Sequence, residues 1–170
     1  MSSLPKIWCC LLLVFTGPVG IRAGVAVGDS FPVFSSTGPA QPGLPVIAGR
    51  ITMVDFWASW CAPCKESFPV YAQLHADYAS RDFAIVAISV DEQAAAFERF
   101  VKKMSPPFPV WRDASQQLVR RVEVPAMPTC YLLDRTGRVR FVHQGFHGAA
   151  TNRQIRAEID RLLAENSSSP

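Results

Sequence analysis

Ile51-Thr52-Met53-Val54-Asp55-Phe56-Trp57 is a β-rich run with almost no polar alternation. A strand with one wet face alternates apolar and polar residues; a strand covered on both faces reads as a continuous apolar stretch. The run therefore predicts a central strand, which needs neighbouring strands at its edges and helices over both faces. It leads straight into Cys61-Ala62-Pro63-Cys64. Beyond that motif Phe68, Tyr71, Leu74, His75 and Tyr78 recur at helical spacing. Pro63 suits a first helical turn, and Pro69 predicts a kink.

The rest of the chain follows the same logic. Phe83 to Val90 reads as a second buried strand, with Asp91 placed to cap a helix from Glu92 to about Met104. Pro106-Pro107-Phe108-Pro109 ends that helix. A short segment, Val110-Trp111, precedes a helix from Ser115 to about Val122, with Asp113 and Gln116 spaced for a capping box. Thr129–Leu133 and Val139–Gln144 are strands joined by Asp134-Arg135-Thr136-Gly137, a hairpin signal. A last helix is expected from Thr151, with Gln154 three residues on and Ile155, Ile159, Leu162 and Leu163 on its apolar face. Crossover connections imply parallel pairing early in the chain, and the final hairpin adds antiparallel strands. The expected fold class is α/β, a mixed central sheet with helices on both faces.

The N-terminus has the layout of a secretory signal. Lys6 precedes an apolar run, Ile7 to Phe15, followed by Gly17, Pro18 and Gly20, with Ala23 as a small residue before a cleavage point. The run is short for an ordinary transmembrane helix, and an uncleaved anchor is the rival reading. No Leu-Ala-Gly-type stretch precedes Cys9 or Cys10, which argues against a lipidated cysteine. The division is thus residues 1–23 as signal or anchor, 24–165 as one domain and 166–170 as a polar tail. Residues 24 to 49 are rich in Gly and Pro and read as an extended N-terminal flank. Lys6 and Arg22 are two of 17 basic residues, so a cleaved chain would balance its 14 acidic residues to within one charge. Such a chain offers no electrostatic case for nucleic acid.

Cleavage would leave Cys61, Cys64 and Cys130, too few to staple a fold of this size. A cysteine pair three apart points to redox chemistry, which needs an attacking thiolate and a second thiol to resolve the mixed disulfide. A strand that delivers Cys61 to a helix N-terminus surrounds it with unpaired backbone N–H groups, which stabilise a thiolate. Cys61 is the expected nucleophile and Cys64 the buried resolving residue; Ala62 and Pro63 complete the motif. Zinc would need two more ligands, and Cys130, His75, His143 and His147 form no second close pair. No metal and no cofactor beyond the cysteine pair is expected.

Asp55 lies in an apolar strand, six residues before Cys61. Burial would raise its pKa and suit it to take the proton of the resolving thiol; the alternative is a solvated strand end. Trp60 is expected to pack beside the motif and shield the disulfide. Lys65 either adds a positive field near the thiolate or is a plain surface residue. Cys130 reads as a small buried hydrophobe, with a regulatory disulfide as the alternative. His143 and His147 read as structural.

Val54 to Lys65, with Pro69 behind it, resembles the thioredoxin active-site stretch. Val27-Gly28-Asp29, Ala48-Gly49-Arg50, the long segment from Asp91 to Val124, and Met127-Pro128-Thr129 ahead of Tyr131 to Gly137 resemble the TlpA/ResA-like branch of exported, often membrane-tethered oxidoreductases. The resemblance spans roughly Val27 to Leu163. It implies a thioredoxin fold with an N-terminal extension and a central insertion, and a cis bond before Pro128 beside the reactive sulfur. The backbone at Met127 would then pair with a client peptide as an added strand. Thioredoxin has Asp at the position of Asp55, whereas much of the branch has Asn. Branch members often carry Glu where Ser67 stands, so a mechanism that needs an acid there does not transfer.

The expectation is an exported thiol–disulfide oxidoreductase that reduces disulfides in client proteins, apocytochrome c among the candidates, and is re-reduced by a membrane thiol donor. It is expected to be monomeric and periplasmic, or held at the outer face of the membrane by its anchor. An oxidase or isomerase on the same fold is the alternative, as is a non-enzymatic peptide-binding assembly factor. A thiol peroxidase would need a Thr about where Trp57 and Ala58 stand.

Overall fold

The computed structural model describes residues 24–32 and 49–165. The sequence features expected in residues 1–23, 33–48 and 166–170 lie outside the described residues. Among the described residues nine elements follow one another: β1 (Ile51–Trp57), α1 (Ala62–Asp77), β2 (Phe83–Ser89), α2 (Ala94–Met104), β3 (Val110–Arg112), α3 (Gln117–Val122), β4 (Thr129–Leu133), β5 (Val139–Gln144) and α4 (Ala149–Glu165).

The sheet order is β3-β2-β1-β4-β5. β1 pairs parallel with β2, and β2 with β3. β4 is antiparallel to both β1 and β5. The mixed sheet expected from the crossovers and the hairpin is therefore present. β1 is its middle strand, and all seven of its residues are buried. That explains the missing polar alternation: neither face meets water.

Strand alternation divides the core in two. Ile51, Met53 and Trp57 point to one cluster with Phe68, Tyr71 and Leu74 of α1, Phe100 of α2, and Ile155, Ile159 and Leu162 of α4. Val54 and Phe56 point to the other, with Leu118 and Val122 of α3, Tyr131 of β4 and Phe31 of the N-terminal flank. Trp57 anchors the first cluster, its ring 4.3 Å from Phe100 and 4.9 Å from Phe68, centroid to centroid. Helices thus cover both faces, and α2, β3 and α3 form the insertion between β2 and β4.

In the β4–β5 hairpin Asp134 Oδ1 accepts the N–H groups of Thr136 and Arg138. Gly137 closes the turn at φ 78°, a conformation that suits a residue without Cβ.

Three helix starts differ from expectation. α2 begins at Ala94 behind Gln93, with no side-chain cap, because the Asp91 carboxylate is engaged elsewhere. α3 begins at Gln117, and Gln116 sits at φ 57° instead of completing a capping box. There Asp113 Oδ2 accepts the Val119 N–H at 2.8 Å, while the Gln116 amide donates to the Val90 carbonyl. α4 starts two residues early, at Ala149, and Thr151 Oγ1 accepts the N–H of His147. Only Asp91 is drawn off by a distant partner, whereas Asp113 still caps α3 through the Val119 N–H and Thr151 bonds back to His147, just ahead of its own helix. α1 runs through Pro69 as one sixteen-residue helix.

Candidate active site

β1 ends at Trp57, and the chain turns through Ala58-Ser59-Trp60 to place Cys61 as the N-cap of α1. Cys61 keeps an extended backbone (φ −77°, ψ 113°) while Ala62 and Pro63 open the first turn. Pro63 has no N–H to satisfy there, so it fits the turn without loss. The three-residue offset brings the Cα atoms of Cys61 and Cys64 to 5.3 Å, and the two sulfurs are joined in a disulfide. The Cys64 N–H points at Cys61 Sγ from 3.2 Å. A helix N-terminus leaves such N–H groups without backbone acceptors, and they stabilise negative charge on a sulfur once the disulfide opens. Cys61 is 4 % exposed and Cys64 0 %, so only the first sulfur-bearing residue reaches the surface.

Asp55 is fully buried in β1, so the solvated-strand-end alternative does not hold. It shares a face with Met53 and Trp57, the face that α1 covers. Its Oδ1 accepts the Tyr71 hydroxyl at 3.3 Å, while Oδ2 has no hydrogen-bond partner among the described residues. Burial holds the Asp55 carboxyl well above the usual carboxylate range, with the Tyr71 hydrogen bond pulling the other way. Burial also pushes up Tyr71, which the Asp55 charge raises further. Cys130, directly across the ladder from Asp55, is a free, buried thiol pushed up by burial and then by Asp55 and Glu158. Nothing there favours a reactive thiolate.

The Met127–Pro128 peptide is cis, and Pro128 is buried at the start of β4. Met127 is half-buried and packs against both core clusters. Trp60 corrects an expectation: it is 69 % exposed and leaves much of its indole in water instead of packing against the motif. The tight turn into α1 aims it outward. It borders a groove of about 510 Å³ lined also by Ser59, Asp91, Glu92, Gln93 and Gln116. Lys65 is exposed on α1. His143 lies 2.6 Å from Glu158 of α4, away from the cysteine pair in sequence and strand order, and His147 is exposed.

Four residues near the motif escaped the sequence reading in these roles. Tyr71 and Ser67 follow Cys64 by seven and three positions, on the buried face of α1. The Ser67 hydroxyl donates to the Cys64 carbonyl at 3.0 Å and contacts the Tyr71 hydroxyl. That spacing was the available signal, but it reads equally as an apolar stripe. Ser59 and Asp91 meet across 32 positions of sequence, for which no local signal exists.

The Thioredoxin-like family profile matches residues 49–139 of the chain. The thiol-disulfide oxidoreductase ResA of Bacillus subtilis is 32 % identical over 126 residues, covering 74 % of this chain and 69 % of the relative. The ResA of Geobacillus thermodenitrificans is 27 % identical over 143 residues, covering 83 % and 80 %. A Chlorobium tepidum crystal structure, described as a thiol:disulfide interchange protein DsbE, superposes with a TM-score of 0.72 at 33 % identity, covering 82 % of this chain and 99 % of that one. With its strand–CxxC–helix site and its mixed five-stranded sheet, the chain belongs to the thioredoxin-like family, among the thiol–disulfide oxidoreductases related to ResA and DsbE.

Proposed function

We propose that the protein is an exported reductase of disulfides in client proteins. The observation that carries this reading is the Cys61–Cys64 disulfide at the N-terminus of α1, with the Cys64 N–H directed at Cys61 Sγ. In the reduced protein the Cys61 thiolate attacks one sulfur of a client disulfide. A mixed disulfide forms and the other client sulfur leaves as a thiolate. Cys64 then gives its proton to the Asp55 carboxylate, directly or through water, and its sulfur attacks Cys61 Sγ. The second client thiolate departs, and the protein is left with the Cys61–Cys64 disulfide. The client has gained two electrons.

Trp60, Met127 and Pro128 form the client-binding surface on this reading: an exposed indole on one side of the motif, and on the other a backbone able to pair with an extended peptide. Ala62 and Pro63 shape the turn, and Lys65 adds a nearby positive charge. No cofactor takes part beyond the cysteine pair. The clients carry disulfides, apocytochrome c being one candidate, and a membrane thiol donor restores the reduced state. The protein acts as a monomer in the periplasm or at the outer face of the membrane, released from or held by residues 1–23, and the domain of residues 24–165 is the working unit.

The test is the equilibrium reduction potential of the Cys61–Cys64 pair, titrated against glutathione and dithiothreitol. A value near or below about −270 mV supports a reductase. A value near about −120 mV makes the protein an oxidant and overturns the direction.

A further inference from the structure

We propose that Tyr71 is the positioning residue of the acid–base step: its hydroxyl holds Oδ1 of Asp55 and leaves Oδ2 as the atom that takes up and releases the proton of Cys64. The inference rests on the reading of Asp55 as proton acceptor and adds the residue that sets when it can accept.

The geometry is closed on every side. Asp55 is 0 % exposed and Tyr71 1 %, and the Tyr71 hydroxyl reaches Oδ1 at 3.3 Å. Among the described residues no other side chain or backbone group bonds the carboxyl, and Oδ2 has no partner there. The ladder neighbour of Asp55 on β2 is Ala87, which brings neither charge nor donor. Its neighbour on β4 is the Cys130 thiol. Beyond Cys130 stand Glu158 of α4 and His143 of β5, which pair with each other. From α1, Tyr71 is the titratable group that bonds the carboxyl, and Ser67 joins it to the Cys64 turn through the Cys64 carbonyl. A buried carboxylate with one donor is far cheaper to ionise than one with none, because a hydrogen bond to a charged group offsets part of the lost hydration. Tyr71 therefore determines how much Asp55 carboxylate exists at neutral pH.

The ring can be kept while the donor is removed. Tyr71 packs edge-on to Phe146, with centroids 6.1 Å apart, a contact that Phe preserves. The experiment is single-turnover release of a mixed disulfide between Cys61 and a model peptide, followed against pH in the wild type, Asp55→Asn and Tyr71→Phe. The wild type shows a transition that Asp55→Asn abolishes. Tyr71→Phe moves that transition to higher pH and slows release about tenfold at neutral pH, the lower end for a hydrogen bond to a charged group. NMR titration of the Asp55 carboxyl in both oxidised proteins reads the same upward shift independently of turnover. A transition present in the wild type, lost in Asp55→Asn and unmoved in Tyr71→Phe would overturn the role of Tyr71 and leave Asp55 as proton acceptor. A transition that survives Asp55→Asn would overturn both.

Discussion

The carboxylate of Asp91, just past the end of β2, clamps Ser59, two residues ahead of the reactive Cys61. Asp91 Oδ2 accepts the Ser59 N–H at 3.0 Å, and Oδ1 accepts the Ser59 hydroxyl at 2.8 Å. The Ser89 hydroxyl adds a third bond, to Oδ2 at 2.8 Å. Asp91 is only 3 % exposed, so water cannot easily replace these bonds. The turn that presents the disulfide is thereby tied to the sheet through a single side chain.

Asp91→Ala leaves the Ser59 N–H and two hydroxyls without their acceptor. Each buried orphan costs about 1–3 kcal/mol. Urea denaturation of the oxidised protein should show a loss of at least about 2 kcal/mol, with Asp91→Asn losing less because its amide oxygen still accepts.

The buried carboxyl of Asp55 makes stability fall with pH. Its pKa is higher folded than unfolded, so the folded state binds the proton more tightly. The contribution is complete below the unfolded value of about 3.9 and is lost as pH rises through the folded value. Urea midpoints of the oxidised wild type should therefore decline from acid toward neutral pH once other groups are matched. Asp55→Asn should remove that component, and its advantage over the wild type should grow with pH.

The two cysteines should separate by substitution. Cys64→Ser retains the attacking sulfur and lacks the resolving one, so it should accumulate a covalent client adduct, visible on non-reducing gels and released by dithiothreitol. Cys61→Ser should form no such adduct and show no reductase activity. Adduct on Cys61→Ser in place of Cys64→Ser would reverse the assignment of roles.

Trp60 offers a large indole to a partner at little folding cost, being 69 % exposed. Trp60→Ala should change stability by no more than about 0.5 kcal/mol. It should raise KM for a peptide client about fivefold, the effect of losing about 1 kcal/mol of contact. The reduction potential of the cysteine pair should stay where it was. Unchanged KM would remove Trp60 from the client surface.

The architecture was readable because its signals are local. A run with almost no polar alternation marks a strand with two covered faces, and β1 is such a strand. The turn residues Asp134-Arg135-Thr136-Gly137 between two β-rich runs placed β4 and β5 to the residue. A three-residue spacing at the head of a helix is enough to bring Cys61 and Cys64 together. Asp55 stood out because a carboxylate in an apolar strand is costly wherever the strand goes.

Helix starts were less legible. Asp91 is a good cap by sequence, yet it bonds the partner that the fold supplies, while Asp113 and Thr151 make local bonds at helices whose first residues shift by two. Ser59 and Asp91 lie 32 positions apart and meet because β1 and β2 are parallel neighbours whose ends coincide. Asp55 and Tyr71 meet because α1 lies across the face of β1 to which Asp55 alternates. A hydroxyl on a helix stripe looks the same in sequence whether it faces a leucine or a carboxylate. Packing brings the second group to it, and with that group come the desolvation and the hydrogen bond that together set the proton affinity of the site.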